Sequence, residues 1–211
     1  VRDAVAEVAA RHGRIDALVH AAGISIAGAV EDIDLATAQQ LFETNYFGTV
    51  RMIRAIVPAM RAAGHGRILV IGSIGGLIGL PFLAHYSASK FALVGLVEAL
   101  RLEIAPFGID AGIIHPGDIH TNIATNQRVI DGGPASPYSR PRQLLVRAFD
   151  DSVASAPPPA VVARAVERAL AARRCPPRTV VGRPPERLAV VARKLLRART
   201  FEWLLRRTYG L

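Results

Sequence analysis

The sequence predicts an α/β fold in which helices wrap a parallel sheet. Short apolar runs alternate with longer stretches of helical periodicity, and glycine or proline sits at nearly every junction between them. Of the 211 residues, 51% are hydrophobic and 20% charged, a balance that suits a packed core and not a disordered chain. A chain of this length is expected to form one domain.

Taken in order, residues 1–12 place Val1, Val5, Val8 and Ala9 on one side of a helix that Gly13 stops. Ile15–Ala22 reads as a buried strand ending at Gly23. Thr37–Ala63 is one long helical pattern closed by Gly64, with a kink or restart expected at Pro58. Ile68–Ile71 is a short strand among glycines. His85–Ala105 is helical and is closed by Pro106 and Gly108. Ile109–Ile114 forms the third strand, terminated by Pro116 and Gly117. Gly132–Arg142, dense in Gly, Pro and Ser, is expected to be a mobile loop. Pro157–Pro159 open a helix that runs to about Arg174, and Thr179–Val181 is the last strand. From Glu186 a basic amphipathic helix, interrupted near Thr200, completes the chain. No internal repeat is visible.

Charge is unevenly spread. The formal net charge is +9, yet residues 1–139 hold 10 Lys or Arg against 12 Asp or Glu, while residues 140–211 hold 16 against 5. Arginine outnumbers lysine 24 to 2, as a GC-rich coding sequence would give, so an arginine alone is poor evidence of binding. The stretch Ile68–Ser89 carries no formal charge, but Gly72, Gly75, Gly76, Gly79 and Pro81 exclude a membrane-spanning helix and favour a strand and loop. The first residues have no basic start followed by an apolar run, so they do not read as a secretory signal. Cys175 is the only cysteine, which excludes a disulfide scaffold; a reduced bystander thiol in a cytoplasmic protein is expected. His12, His65, His85, His115 and His120 lack zinc-site spacing and read as structural or solvated.

The chemistry-bearing spacing is Tyr86 to Lys90, four residues apart near the start of a helix and therefore on one face. An isolated phenol, with a pKa near ~10, is a poor proton donor and a poorer base at neutral pH. A neighbouring ammonium is expected to lower that value and bring the phenol into range for acid/base work. Ser73 lies 13 residues earlier, just past a buried strand, at the carboxyl edge where open α/β sheets place ligands.

With Gly66-Arg67-Ile68, Ile71-Gly72-Ser73 and Tyr86-Ser87-Ala88-Ser89-Lys90, the chain resembles the short-chain dehydrogenase/reductase family. The resemblance implies a Rossmann-type doubly wound parallel sheet, an NAD or NADP cofactor, and hydride transfer between an alcohol and a ketone or aldehyde. It assigns Tyr86 as proton donor, Ser73 as hydrogen-bond donor to the same substrate oxygen, and Lys90 as the group that tunes Tyr86 and holds the nicotinamide ribose. It assigns Asn45, in Thr44-Asn45-Tyr46-Phe47-Gly48, to a water-mediated relay from Lys90 to solvent. Pro116, Gly117, Ile119 and Thr121 match the segment that contacts nicotinamide and phosphates. His20-Ala21-Ala22-Gly23 stands where the family has Asn-Asn-Ala-Gly; Gly23 can still approach the cofactor, but both asparagines are replaced.

The resemblance covers residues 1 to about 182, the catalytic portion of the domain, with the first βαβαβ half and its Gly-rich phosphate turn largely missing from the sequence. The expected explanation is N-terminal truncation, leaving the strand at Ile15 as an apolar edge. The alternative is a short, catalytically inactive relative that binds a lipid or a partner. Residues 183–211 form a basic helical extension similar to those of the hydroxysteroid and retinol dehydrogenase branches, which implies a lipophilic alcohol or ketone. Its helix is expected either to cover the substrate pocket or to touch a membrane peripherally through Phe201 and Trp203. A homo-oligomer is expected of the full-length form, and no nucleic-acid partner. Substrate choice is expected to lie in loops spanning 122–159.

Overall fold

Four parallel strands carry the fold. In the computed structural model, which describes residues 1–123, 126–133 and 135–210, β1 (Ala17–His20), β3 (Gly66–Ile71), β4 (Ile109–Pro116) and β6 (Arg178–Val181) lie side by side in the order β1-β3-β4-β6. Ala124, Thr125, Pro134 and Leu211, which fall within the expected loops and at the end of the C-terminal extension, lie outside the described residues. The register pairs Val70 with both His20 and Ile113, so the three longer crossovers return to one sheet edge.

Both faces of this sheet are covered, which is why its strands are apolar at successive positions instead of alternating with polar ones. On one face Leu18, Ile68, Val70, Ala111 and Ile113 meet α3 (Gly48–Ala63) and α4 (Ala84–Ile104) through Ile53, Ile56, Met60, Leu93 and Val97. On the other, Leu69 and Ile114 meet Ala165 and Ala169 of α6 (Ala160–Ala171), with Cys175 buried beside them. The α1 helix (Arg2–His12) ends at Gly13 in a left-handed cap, as its sequence predicts, and packs on α3. Strand β1 forms one edge of the described sheet, and its Val19 is 41% exposed.

Several elements differ from the sequence reading. The expected single helix over 37–63 is α2 (Leu35–Phe42) and α3 joined by a π turn over Glu43–Phe47; the chain changes pitch there, and α3 runs through Pro58. The expected mobile loop at 132–142 passes into α5 (Ser139–Ala154), whose Arg142 is buried and pairs with Asp32 at 3.6 Å. Ser136 also donates to Asp32, so this segment is fastened to the loop near Ile33. A two-stranded parallel ribbon of β2 (Ile26–Ala27) and β5 (Arg128–Val129) was not foreseen; it covers an apolar cluster of Ile26, Ile33, Leu41, Leu83 and Tyr86. Much of 122–159 is therefore regular structure. The C-terminal extension is two helices, α7 (Pro184–Leu195) and α8 (Ala198–Tyr209), with the break at Leu196-Arg197 and not at Thr200. Val190 and Phe201 pack against Ile78. Among the described residues, no helix is long and apolar enough to cross a membrane.

Two glycine substitutions test this packing in opposite directions. A Cβ at Gly112 in β4 would come within 2.5 Å of the Pro176 carbonyl oxygen, a backbone atom that cannot swing aside. Gly112→Ala is expected to lower stability by about 1–3 kcal/mol. A Cβ at the exposed Gly95 of α4 meets nothing within 4 Å, so Gly95→Ala is expected to raise stability by about 0.5–1 kcal/mol. Urea unfolding of both variants reads the two signs.

Candidate functional site

The site begins where β3 ends. After Ile71, Gly72 extends the ladder by donating to the Ile114 carbonyl at 2.7 Å, and Ser73 then caps a single 3₁₀ turn over Ile74–Gly76, its hydroxyl accepting from the Gly75 N–H at 3.0 Å. The turn lies directly on α4. A Cβ at Gly76 would stand 2.8 Å from the Lys90 carbonyl oxygen, so only glycine permits this approach. As a result, the Ser73 hydroxyl reaches the phenol of Tyr86, to which it hydrogen-bonds, while the Lys90 ammonium lies 5.8 Å from the Tyr86 ring centroid. Ser73, Tyr86 and Lys90 meet at the carboxyl end of the sheet, as the sequence predicts.

The electrostatics depart from the expectation. Burial pushes the Tyr86 phenol above its ordinary value; the Ser73 hydrogen bond opposes this and the charge of Asp118 adds to it. Burial also lowers Lys90 from 10.5 to about 8. Lys90 does not depress the phenol here, because its ammonium is aimed at the Ile71 carbonyl, 3.3 Å away, and both groups are drawn out of water. Desolvation keeps the phenol protonated and brings the lysine's pKa close to neutrality, where it is still mostly an ammonium.

Asn45 is fully buried in the π turn and acts as a clamp. Its amide oxygen accepts from the Ile24 N–H at 2.8 Å, and its amide nitrogen donates to the Ile24 carbonyl and to the Ser89 hydroxyl, each at 3.0 Å. Ser89 in turn donates to the Tyr86 carbonyl at 2.7 Å. The whole side-chain amide is committed to fixing the loop after β1 against α4. That loop brings Gly23 over the lysine: a Cβ there would lie 3.2 Å from Lys90 Nζ and 3.4 Å from Asn45 Oδ1.

The two histidines at the strand ends have assignable roles. His115 is completely buried, and its Nδ1 lies 2.9 Å from the Ser73 carbonyl oxygen. A carbonyl can only accept, so Nδ1 carries the proton. Nε2 has no hydrogen-bond partner among the described residues, and burial lowers the ring's pKa, so the imidazole is neutral. His115, read from sequence as merely structural or solvated, fixes the backbone that presents Ser73. His20, standing in place of an asparagine, lies 3.2 Å from the Thr49 hydroxyl, whose own proton goes to the Asn45 carbonyl at 2.8 Å; the ring therefore donates from Nδ1. It ties β1 to α3 where the usual asparagine bond is absent.

The Pro116–Thr121 segment borders the same edge. Gly117 donates to the Val181 carbonyl at 2.7 Å, and a Cβ on it would overlap the Glu186 carboxylate. Glu186 accepts from the Arg183 N–H at 2.7 Å, and the Arg183 guanidinium bridges Glu186 at 2.7 Å and Asp118 at 3.2 Å. Burial raises the Asp118 pKa; the Ser152 hydrogen bond opposes it, Glu186 adds to it and Arg183 opposes it. Ile119 is buried, whereas Thr121 is exposed and accepts locally from the Ile123 N–H. Sequence reasoning missed Asp118, Arg183 and Glu186; the signal was Arg183-Pro184-Pro185-Glu186, a helix start with an acidic third residue. Among the described residues, no group of three or more His, Cys, Asp or Glu is placed to hold a metal ion.

A family model described as short chain dehydrogenase matches residues 1–129. The chain is 44% identical to a 3-ketodihydrosphingosine reductase of Bacteroides thetaiotaomicron over 61% of its own length and 48% of the relative's. Among solved structures, a short-chain dehydrogenase from Streptomyces avermitilis superposes with a TM-score of 0.81 at 33% identity, covering 96% of this chain and 73% of that one. A gluconate 5-dehydrogenase from Burkholderia cenocepacia, solved with NADP and tartrate, matches with a TM-score of 0.56 at 32% identity over 58% of this chain and 48% of that one. The chain spans about half or less of the length of the first curated relatives it matches.

Two measurements test the site's buried groups. Removing the His115 donor leaves the Ser73 carbonyl unpaired, so His115→Leu is expected to cost about 1–3 kcal/mol in urea unfolding, and His115→Asn, which keeps an N–H near Nδ1, less. Lys90 titrates near 8 when folded and near 10.5 when unfolded, so between those values the unfolded chain binds more protons and stability must rise with pH. The burial penalty is present in full below about pH 8 and is relieved above it. Unfolding between pH ~8 and ~10 is expected to show a rise of about 2–3 kcal/mol that Lys90→Met abolishes.

Proposed function

Because the chain belongs to the short-chain dehydrogenase family, we propose that it supplies the catalytic centre of an NAD(P)-dependent oxidoreductase that interconverts an alcohol with a ketone or aldehyde. The observation that carries this reading is the meeting of Ser73, Tyr86 and Lys90 at the carboxyl end of β3. The nicotinamide, when bound, gives or takes the hydride.

The residues around Lys90 fit the nicotinamide-ribose end of such a cofactor. Its ammonium has three protons and one bond to Ile71, and Gly23 offers no side chain where a pair of ribose hydroxyls would approach. Tyr86 would protonate the substrate oxygen in the reductive direction, and its raised pKa keeps it in the protonated form that donation needs. Ser73 would donate to the same oxygen. Its orientation is secured by the Gly75 N–H on one side and by His115 behind. Lys90, near neutrality, would restore the phenol's proton.

A lipophilic substrate is the favoured class. Tyr86 belongs to an apolar cluster with Ile26, Ile33, Leu41 and Leu83, and α5 contributes Val146 to the same lining. The similar Bacteroides protein is named as a reductase of 3-ketodihydrosphingosine, itself a lipid. Tyr86→Phe is expected to keep the unfolding midpoint within error and to remove turnover of NADH or NADPH with lipophilic ketones. Near-normal kcat in this variant, measured by loss of nicotinamide absorbance in a form of the protein that binds cofactor, would overturn the assignment.

A further inference from the structure

Each helix of the α7–α8 pair turns one side inward and leaves apolar and basic side chains exposed on another. On α7, Val190 is buried with Ala189 and Ala192 against Ile78 and Val180, whereas Leu188, Val191 and Leu195 are 67%, 48% and 78% exposed. Their spacing of three and four residues puts them on one side of the helix. Arg187 and Lys194 flank that stripe and are also exposed. On α8, Phe201 turns inward while Trp203 is 56% exposed. Arg199, Arg206 and Arg207 share the face of Trp203 by helical spacing, and the Arg207 guanidinium lies 5.7 Å from a Trp203 ring centroid. Across residues 184–209 seven Lys or Arg stand against two Glu, and Glu186 is already spent on Arg183. Exposed apolar residues are costly in water, and their interleaving with unneutralised cations suits one surface in particular.

We propose that the α7–α8 pair docks on an anionic lipid surface, with Leu188, Val191, Leu195 and Trp203 entering the headgroup boundary and the flanking arginines facing lipid phosphates. Cations near such a surface gain from its negative potential, and an indole suits the interface because one end is apolar and the other can hydrogen-bond. The pair also borders the catalytic edge: Phe201 packs on Ile78 just beyond the Ser73 turn, and the Tyr209 phenol lies within the field of Asp118 and Glu186. Docking would place the site's mouth where a lipophilic ketone is concentrated. The docking itself does not depend on the oxidoreductase reading, so each can fail alone.

Trp203 is the only tryptophan, which makes its emission a local probe. The full chain is mixed with vesicles of phosphatidylcholine, or of phosphatidylcholine with about a third phosphatidylserine, and floated at low and high salt. Binding is expected to the anionic vesicles only, with a blue shift of Trp203 and loss at high salt. Arg206→Glu with Arg207→Glu is expected to weaken it at least about tenfold, whereas Arg11→Glu with Arg54→Glu, an equal charge change on exposed helix positions elsewhere, leaves it nearly intact. Leu188→Ser with Leu195→Ser is expected to suppress the blue shift, and circular dichroism confirms folding of each variant. No flotation, flotation without a Trp203 shift, equal loss in the Arg11/Arg54 control, or tighter binding to single- or double-stranded nucleic acid would overturn the proposal.

Discussion

The contact on which the site depends is backbone against backbone, where the Gly75-Gly76 turn rests on α4 at Lys90. Crossover helices normally pack on a sheet through side chains at a distance of several ångströms. Here the lack of a Cβ lets a loop lie flush against the helix, and the three chemical side chains then converge without long reaches. Ser73 is short and needs a fixed backbone; Tyr86 and Lys90 are long and need a fixed helix. Closing the gap between turn and helix serves both.

The surrounding polar groups are arranged to hold that contact. His115 grips the carbonyl of Ser73 from the neighbouring strand, Lys90 grips that of Ile71, and Asn45 joins Ile24 to Ser89. His115 and Asn45 do this with neutral donors, and only Lys90 brings a buried charge, whose desolvation cost shows in its lowered pKa. Such an arrangement keeps geometry fixed while leaving the phenol and ammonium free of a permanent partner of opposite charge. The same economy explains why the pKa values of Tyr86 and Lys90 move in the directions burial dictates instead of toward each other.

Much of this was legible in the chain. Each sheet strand was marked by an apolar run and the ends of α1 and α3 by glycine, because a sheet covered on both faces and a left-handed cap leave unambiguous residue types behind. The Tyr86, Lys90 and Ser73 spacing was legible for the same reason, as a fixed helix face beside a fixed strand end. The two-residue strands at 26–27 and 128–129 carry no period to read. Helix α5 hid because Arg142 occupies one of its buried positions and Gly and Pro crowd its approach, so polarity masked an inward face. The π turn was invisible since periodicity alone cannot register one surplus residue inside a helical run. The directions of the pKa shifts depend on solvent access, which spacing does not encode.

The seat of Tyr209 beside Asp118 and Glu186 has a further consequence. Burial raises the pKa of this phenol and of Asp118 alike, and Asp118 in turn pushes Tyr86 upward. The last helix and the reacting group thereby answer to one charge, since Asp118 raises the phenols of Tyr209 and Tyr86 alike.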